Sequence, residues 1–170
     1  MSITLIGMPS CGKSTLGVIL AKRLGYRFID ADLMIQEREG KLLHDIITEC
    51  GNDAFLSIEN DVLCSVADTR AVISTGGSAV YSEQAMKSLA KLGPIVYLDI
   101  SLDTMLRRLG DYSHRGVVMR NGCTLADMYA EREPLYKRYA DITVNVDRMD
   151  ISSNIEKICS LIAQCGKQAH

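Results

Sequence analysis

The chain has 170 residues, 47% of them hydrophobic and 24% charged, enough for one compact domain with a real core and too few for two full-sized ones. A formal net charge of −2 excludes a broad basic surface able to grip a nucleic-acid backbone, and no apolar run approaches the roughly 20 residues of a membrane helix. The expected partner is a small molecule, with no nucleic acid and no membrane, and the expected state is a monomer or weak homodimer. Six cysteines include no C-x-x-C pair, so neither a zinc site nor a disulfide framework is indicated. The chain enters an apolar strand without a charged region, apolar core and cleavage site before it, which points to the cytoplasm.

In chain order, Ile3 to Ile6 reads as a short strand buried on both faces of a parallel sheet. It runs into Gly7-Met8-Pro9-Ser10-Cys11-Gly12-Lys13-Ser14, which satisfies G-x-x-x-x-G-K-[ST] in full, and Thr15 follows. The glycines let backbone N–H groups turn onto phosphate oxygens, and the next helix adds the positive end of its dipole. Lys13 supplies a mobile charge and Ser14 a hydroxyl for Mg²⁺. Nucleoside triphosphate binding follows. Cys11, at a helix N-terminus beside Lys13, is the thiol best placed to be reactive. Leu16, Ile19, Leu20 and Leu24 recur at helical spacing, and Gly25 ends the helix.

Residues 26 to 29 form a second predicted strand, whose tip carries Asp30-Ala31-Asp32, two alternating carboxylates at the edge where α/β folds bind ligands. Residues 33 to 67 read as a helical insertion interrupted at Gly40 and Gly51. A third strand, 71 to 74, ends in Thr75-Gly76-Gly77-Ser78, where glycine permits close approach of backbone to ligand. Helices are expected at 82 to 92, about 102 to 109, about 125 to 139 and 151 to 165, with strands at 95 to 100 and 142 to 146. The polar, glycine-bounded stretch 110 to 122 carries Arg115 and Arg120 and reads as a mobile lid.

Taken together, GMPSCGKST, FIDADLMI, the partial match GNDAFLSIE, STGGSAV, the His114-Arg115-Gly116 loop and REPLYKRYADITV resemble the shikimate kinase family of P-loop kinases, end to end and in order. An Asp-x-Asp after strand two combined with REPLY before strand five is far narrower than the P-loop alone. The resemblance implies an α/β fold with a five-stranded parallel sheet of order 2-3-1-4-5, helices on both faces and a lid. It implies ATP with Mg²⁺ and transfer of the γ-phosphoryl group to a hydroxyl of a small carboxylate, shikimate being the family default.

By the same resemblance, Asp30 helps hold Mg²⁺ and Asp32 takes the proton from the attacking hydroxyl or orients it. Arg115 reaches the transferring phosphoryl group, Arg108 lies against adenine, and Arg132 holds the substrate carboxylate with a bidentate fork. A competing role for Asp32 is to cap the following helix. Gly76 and Gly77 belong to the substrate side, with Leu56 and Glu59.

Departures from the family gather on that side. Leu56 stands where the family has a second arginine clamp, Glu59 keeps the matching carboxylate, Ser78 replaces a third glycine, and the lid reads Arg115-Gly116-Val117-Val118. A buried Glu59 then needs another cation, which Arg132 could provide, or the ammonium of a hydroxy-amino acid such as homoserine. A module that binds ATP without turnover is the alternative of a different class; a nucleotide kinase is disfavoured because no base-reading acceptor surface can be located.

Overall fold

The computed structural model describes residues 1–110, 116–120, 122–148 and 150–168. Five strands, β1 (Ile3–Ile6), β2 (Arg27–Asp30), β3 (Ala71–Ser74), β4 (Ile95–Asp99) and β5 (Ile142–Asn145), form one parallel sheet in the order β2-β3-β1-β4-β5. Every residue of β1 and β3 is buried, the pattern of strands covered on both faces, whereas β5 at the edge alternates buried and exposed. Central β1 pairs Thr4 with Ile73 on one side and with Ile95 on the other. Its neighbours are reached by connections running in opposite directions, so the loop after β1 opens at the switch point of the sheet, where such folds bind ligands.

Helix α1 (Lys13–Leu24) packs on β2 and β3 and against α7 (Ile151–Gln168), while α4 (Glu83–Leu92) and α6 (Leu125–Tyr139) pack over β1 and β4. Side chains drawn from these helices and all five strands make the main apolar core. Local signals set the helix ends. Gly25 closes α1 in the left-handed region, Ser82 caps α4, Ser101 caps α5 (Leu102–Leu109), and Thr124 with Asp127 forms a capping box on α6.

The expected helical insertion resolves into α2 (Ala31–Glu39) and α3 (Leu43–Ser65). Gly40 caps α2, and Gly51, at φ 81°, kinks α3 without ending it. Helix α2 begins directly after β2, so Asp30 and Asp32 do not alternate along a strand. Asp30 takes the N-cap position, its Oδ1 accepting from Asp32 N at 3.0 Å, which puts the capping role on the first aspartate instead of the second. A second apolar cluster of Ile35, Ile46, Phe55 and Val62 lies between α2 and α3, and Val118, from the segment expected to be a polar lid, is buried in it. No helix among the described residues is long and apolar enough to cross a membrane.

Candidate active site

The turn after β1 is built to hold an anion. Gly12, at φ 99°, starts α1 with no side chain capping its first turn and no acidic residue in it. The N–H groups of that turn and the positive end of the dipole are therefore unspent. Buried Lys13 folds back over the turn, its Nζ donating to the carbonyls of Gly7 at 2.9 Å and Met8 at 3.0 Å, with Cys11 Sγ at 3.7 Å. Cys11 itself is buried, which removes the exposure a reactive thiol needs.

Beside the turn, Ser14 Oγ donates to Asp30 Oδ2 at 2.7 Å and lies 3.4 Å from Ser74 Oγ. The hydroxyl and carboxylate are hard oxygen donors at the mouth of an anion site. They fit Mg²⁺, which takes one or two protein oxygens and completes its shell with water and phosphate. No cluster of three or more His, Cys, Asp or Glu side chains able to hold a metal occurs among the described residues.

The same turn forms one wall of a cavity of about 470 Å³. Pro9, Ser10, Gly12, Lys13, Ser14 and Thr15 line that wall, and Asp32, Gln36, Phe55, Glu59, Thr75 to Ser78, Val118 and Arg132 line the other. A phosphate donor and a small acceptor can thus meet in one enclosure. Burial pushes the Asp32 carboxyl up to about 6, helped by Asp30 and opposed by Lys13. Burial pushes Glu59 further, to about 7, against a lowering hydrogen bond from Ser78, with Asp32 raising it and Arg132 and Lys13 lowering it.

Arg132, 1% exposed on α6, is the one arginine among the described residues lining this cavity. Its Nε donates to Tyr81 Oη at 3.1 Å, the guanidinium stacks 5.1 Å from the Tyr81 ring centre, and Nη2 donates to the Val118 carbonyl. Tyr136, one turn along α6, donates to the Gly77 carbonyl at 2.6 Å and stacks on Tyr97. A Cβ on Gly77 would lie 3.1 Å from Arg132 Nη1, so the glycine keeps the arginine's approach open.

The sequence-based site is only partly assembled in this cavity. Leu56 does not line it; the side chain packs against the second apolar cluster, whose buried member Phe55 also borders the cavity. Glu59 does line it, but its hydrogen bond comes from Ser78 Oγ at 2.6 Å and not from Arg132. Arg108 lies away from the lining, its Nη2 donating to the carbonyls of Val146 and Asp147 at 2.9 and 2.6 Å, while Nη1 is buried without a partner. Gly7, Cys11 and Asp30 stand behind the lining residues, in the turn and at the cap described above. Arg115 lies outside the described residues. Arg120 pairs with Glu131 at 3.3 Å on the surface. Sequence reading overlooked Tyr81, Gln36 and Val118; for Val118 the apolar run Val117-Val118-Met119 inside a polar loop was the available signal.

Comparison with known proteins places this geometry. The profile of the family described as shikimate kinase matches residues 9–163. The shikimate kinase of a Sulfurihydrogenibium species is 33% identical over 162 residues, covering 95% of this chain and 97% of that protein. The shikimate kinase of Mycobacterium tuberculosis is 37% identical over 161 residues, 92% of this chain and 90% of that one. Among solved structures, the shikimate kinase of Acinetobacter baumannii in complex with shikimate superimposes with a TM-score of 0.86 at 29% identity, covering 96% and 93% of the two chains.

Proposed function

The chain belongs to the shikimate kinase family, an ATP-dependent kinase by that membership, and from it we propose that the protein transfers the γ-phosphoryl group of ATP to a hydroxyl of shikimate. One observation carries the proposal for this particular site: the anion-binding turn, Asp32 and Arg132 border a single cavity. Donor, nucleophile and carboxylate are each provided for within it.

In the proposed reaction the backbone N–H groups of residues 12 to 15 and the Lys13 ammonium hold the phosphates. Ser14 and Asp30 would hold Mg²⁺, which supplies charge neutralisation on the phosphate oxygens. Arg132 grips the acceptor carboxylate and so orients the hydroxyl toward the donor. The hydroxyl oxygen forms a bond to the γ-phosphorus as the bond from that phosphorus to the bridging oxygen breaks, and ADP leaves. Asp32 accepts the hydroxyl proton. Such a transfer asks the protein for positioning and electrostatic stabilisation and little covalent work, and these residues provide both.

Residues 33 to 67 serve as the acceptor-binding helices and 110 to 122 as the lid, which excludes water and so suppresses wasteful hydrolysis. The roles of Arg115 on the phosphoryl group and Arg108 beside adenine rest on the family resemblance. The reaction is assigned to the cytoplasm. Neither a hydroxy-amino acid acceptor nor a module without turnover is favoured by the relatives compared above, which are named shikimate kinases. A coupled ADP-release assay over shikimate, homoserine and buffer alone tests the reading: release dependent on shikimate is expected, and release with homoserine alone would overturn it.

A further inference from the structure

Glu59 is 2% exposed on α3, and a buried carboxyl must find donors or leave an expensive gap. Its one hydrogen bond comes from Ser78 Oγ to Oε2 at 2.6 Å, while Oε1 has no partner. Among the described residues no cationic nitrogen pairs with it within 4 Å. The orphan oxygen is aimed at the glycine wall of the cavity. A Cβ on Gly76 would fall on Glu59 Oε1 and lie 3.1 Å from Asp32 Oδ1, so the two carboxyls converge over the same backbone carbon.

Rotation about the last bond of a glutamate side chain is soft, so a carboxyl held at neither oxygen would turn freely. Ser78 removes that freedom. It stands at the start of a 3₁₀ turn, Ala79–Tyr81, fixed by Ala79 N to Gly76 O at 3.4 Å and Tyr81 N to Ser78 O at 3.0 Å, and its own side chain is buried. A rigid platform thus fixes the orientation of the Glu59 carboxyl against the glycine wall of the cavity.

We infer that Ser78 is a positioning residue for the acceptor: by holding Oε2 it fixes the Glu59 carboxyl at the glycine wall of the cavity beside Asp32, where that carboxyl takes a hydrogen bond from a second, non-reacting hydroxyl of the acceptor. The acceptor carboxylate is left to Arg132, and the Glu59 carboxyl reads the acceptor's hydroxyl pattern. The inference deepens the reading above and rests on it.

Steady-state kinetics of the full chain with ATP test it, using shikimate and a deoxy analogue lacking a non-reacting hydroxyl, on the wild type, Ser78→Ala, Ser78→Thr and Glu59→Gln. Ser78→Ala is expected to raise the KM for shikimate about tenfold with the KM for ATP changed less than about twofold, and Ser78→Thr to recover most of that loss. The wild type should discriminate against the deoxy analogue about tenfold, and Ser78→Ala and Glu59→Gln should discriminate much less. If the wild type releases no ADP with shikimate, the acceptor reading falls and the inference with it. If the wild type turns over while Ser78→Ala keeps its shikimate KM and its discrimination, the inference alone is overturned.

Discussion

Arg132 on α6 donates through Nη2 to the backbone carbonyl of Val118, so the side chain proposed to grip the acceptor carboxylate also fastens a segment that lines the cavity. Replacing the planar fork with a point charge tests both duties. Arg132→Lys should raise the acceptor KM by about tenfold or more, because an ammonium cannot make two parallel bonds to a carboxylate while holding Val118 and stacking on Tyr81. The KM for ATP should move by less than about twofold. Equal losses for both substrates would show that Arg132 holds the fold and not the acceptor.

Val118 is buried among Ile35, Ile46, Phe55 and Val62, while Asn52 Nδ2 donates to the Met119 carbonyl at 2.6 Å and Arg132 holds the Val118 carbonyl. Val118→Ala removes apolar packing worth about 1 kcal/mol from this segment. Acceptor-independent ATP hydrolysis should rise as phosphoryl transfer slows, read as ADP released against phosphorylated product formed. An unchanged ratio would contradict a closing role for this segment.

Asp32 is held up to about 6 by burial and by Asp30. A base must be ionised to accept a proton, so kcat/KM should climb with pH through about 6 and level off above it. Asp32→Asn should fall by about 10²-fold or more and lose the acidic limb, while titration calorimetry still detects ATP binding.

For Glu59 the linkage runs against stability. The folded chain holds the proton up to about 7, the unfolded chain only to near 4.5, so between those values the folded state binds more protons. Stability contributed by the buried acid is present below about 4.5 and is lost as pH rises toward 7, by an amount on the order of 3 kcal/mol. Thermal melts of the wild type and Glu59→Gln from pH 5 to 8 should diverge, with the wild type losing ground. Parallel curves would mean Glu59 is ionised throughout.

Gly76→Ala places a methyl group on Glu59 Oε1 and against Asp32. Acceptor turnover should drop by about 10²-fold or more, as a displaced carboxylate next to the nucleophile costs positioning, whereas ATP binding on the other wall should persist. Loss of ATP binding as well would locate the damage in the sheet and not in the acceptor wall.

What sequence could disclose depended on how far apart the partners lie. The Gly7 to Ser14 turn was legible because its chemistry is fixed by local spacing, and the sheet because β1, β3 and β4 are continuous apolar runs between turn signals. The start of α2 was misplaced by two residues, since Asp30 serves as strand end and helix cap at once. The partners of Glu59 and Arg132 were not legible. Ser78 is 19 positions from Glu59 and Tyr81 is 51 from Arg132, joined only by the packing of α3 and α6 around the loop after β3. Nor could periodicity show that α3 packs Leu56 against an apolar cluster while Phe55, a core member of that cluster, also borders the cavity.

Among the described residues the Lys13 ammonium donates to two main-chain carbonyls, those of Gly7 and Met8, and pairs with no carboxylate. Met8 sends its side chain, fully buried, into the main core and its carbonyl to the lysine. One residue therefore joins the packing of the interior to the placement of the charge proposed to hold the phosphates. A repacked interior that still folds can shift that charge by a fraction of an ångström, so conservative substitutions around Met8 should leave melting temperature nearly intact while turnover falls.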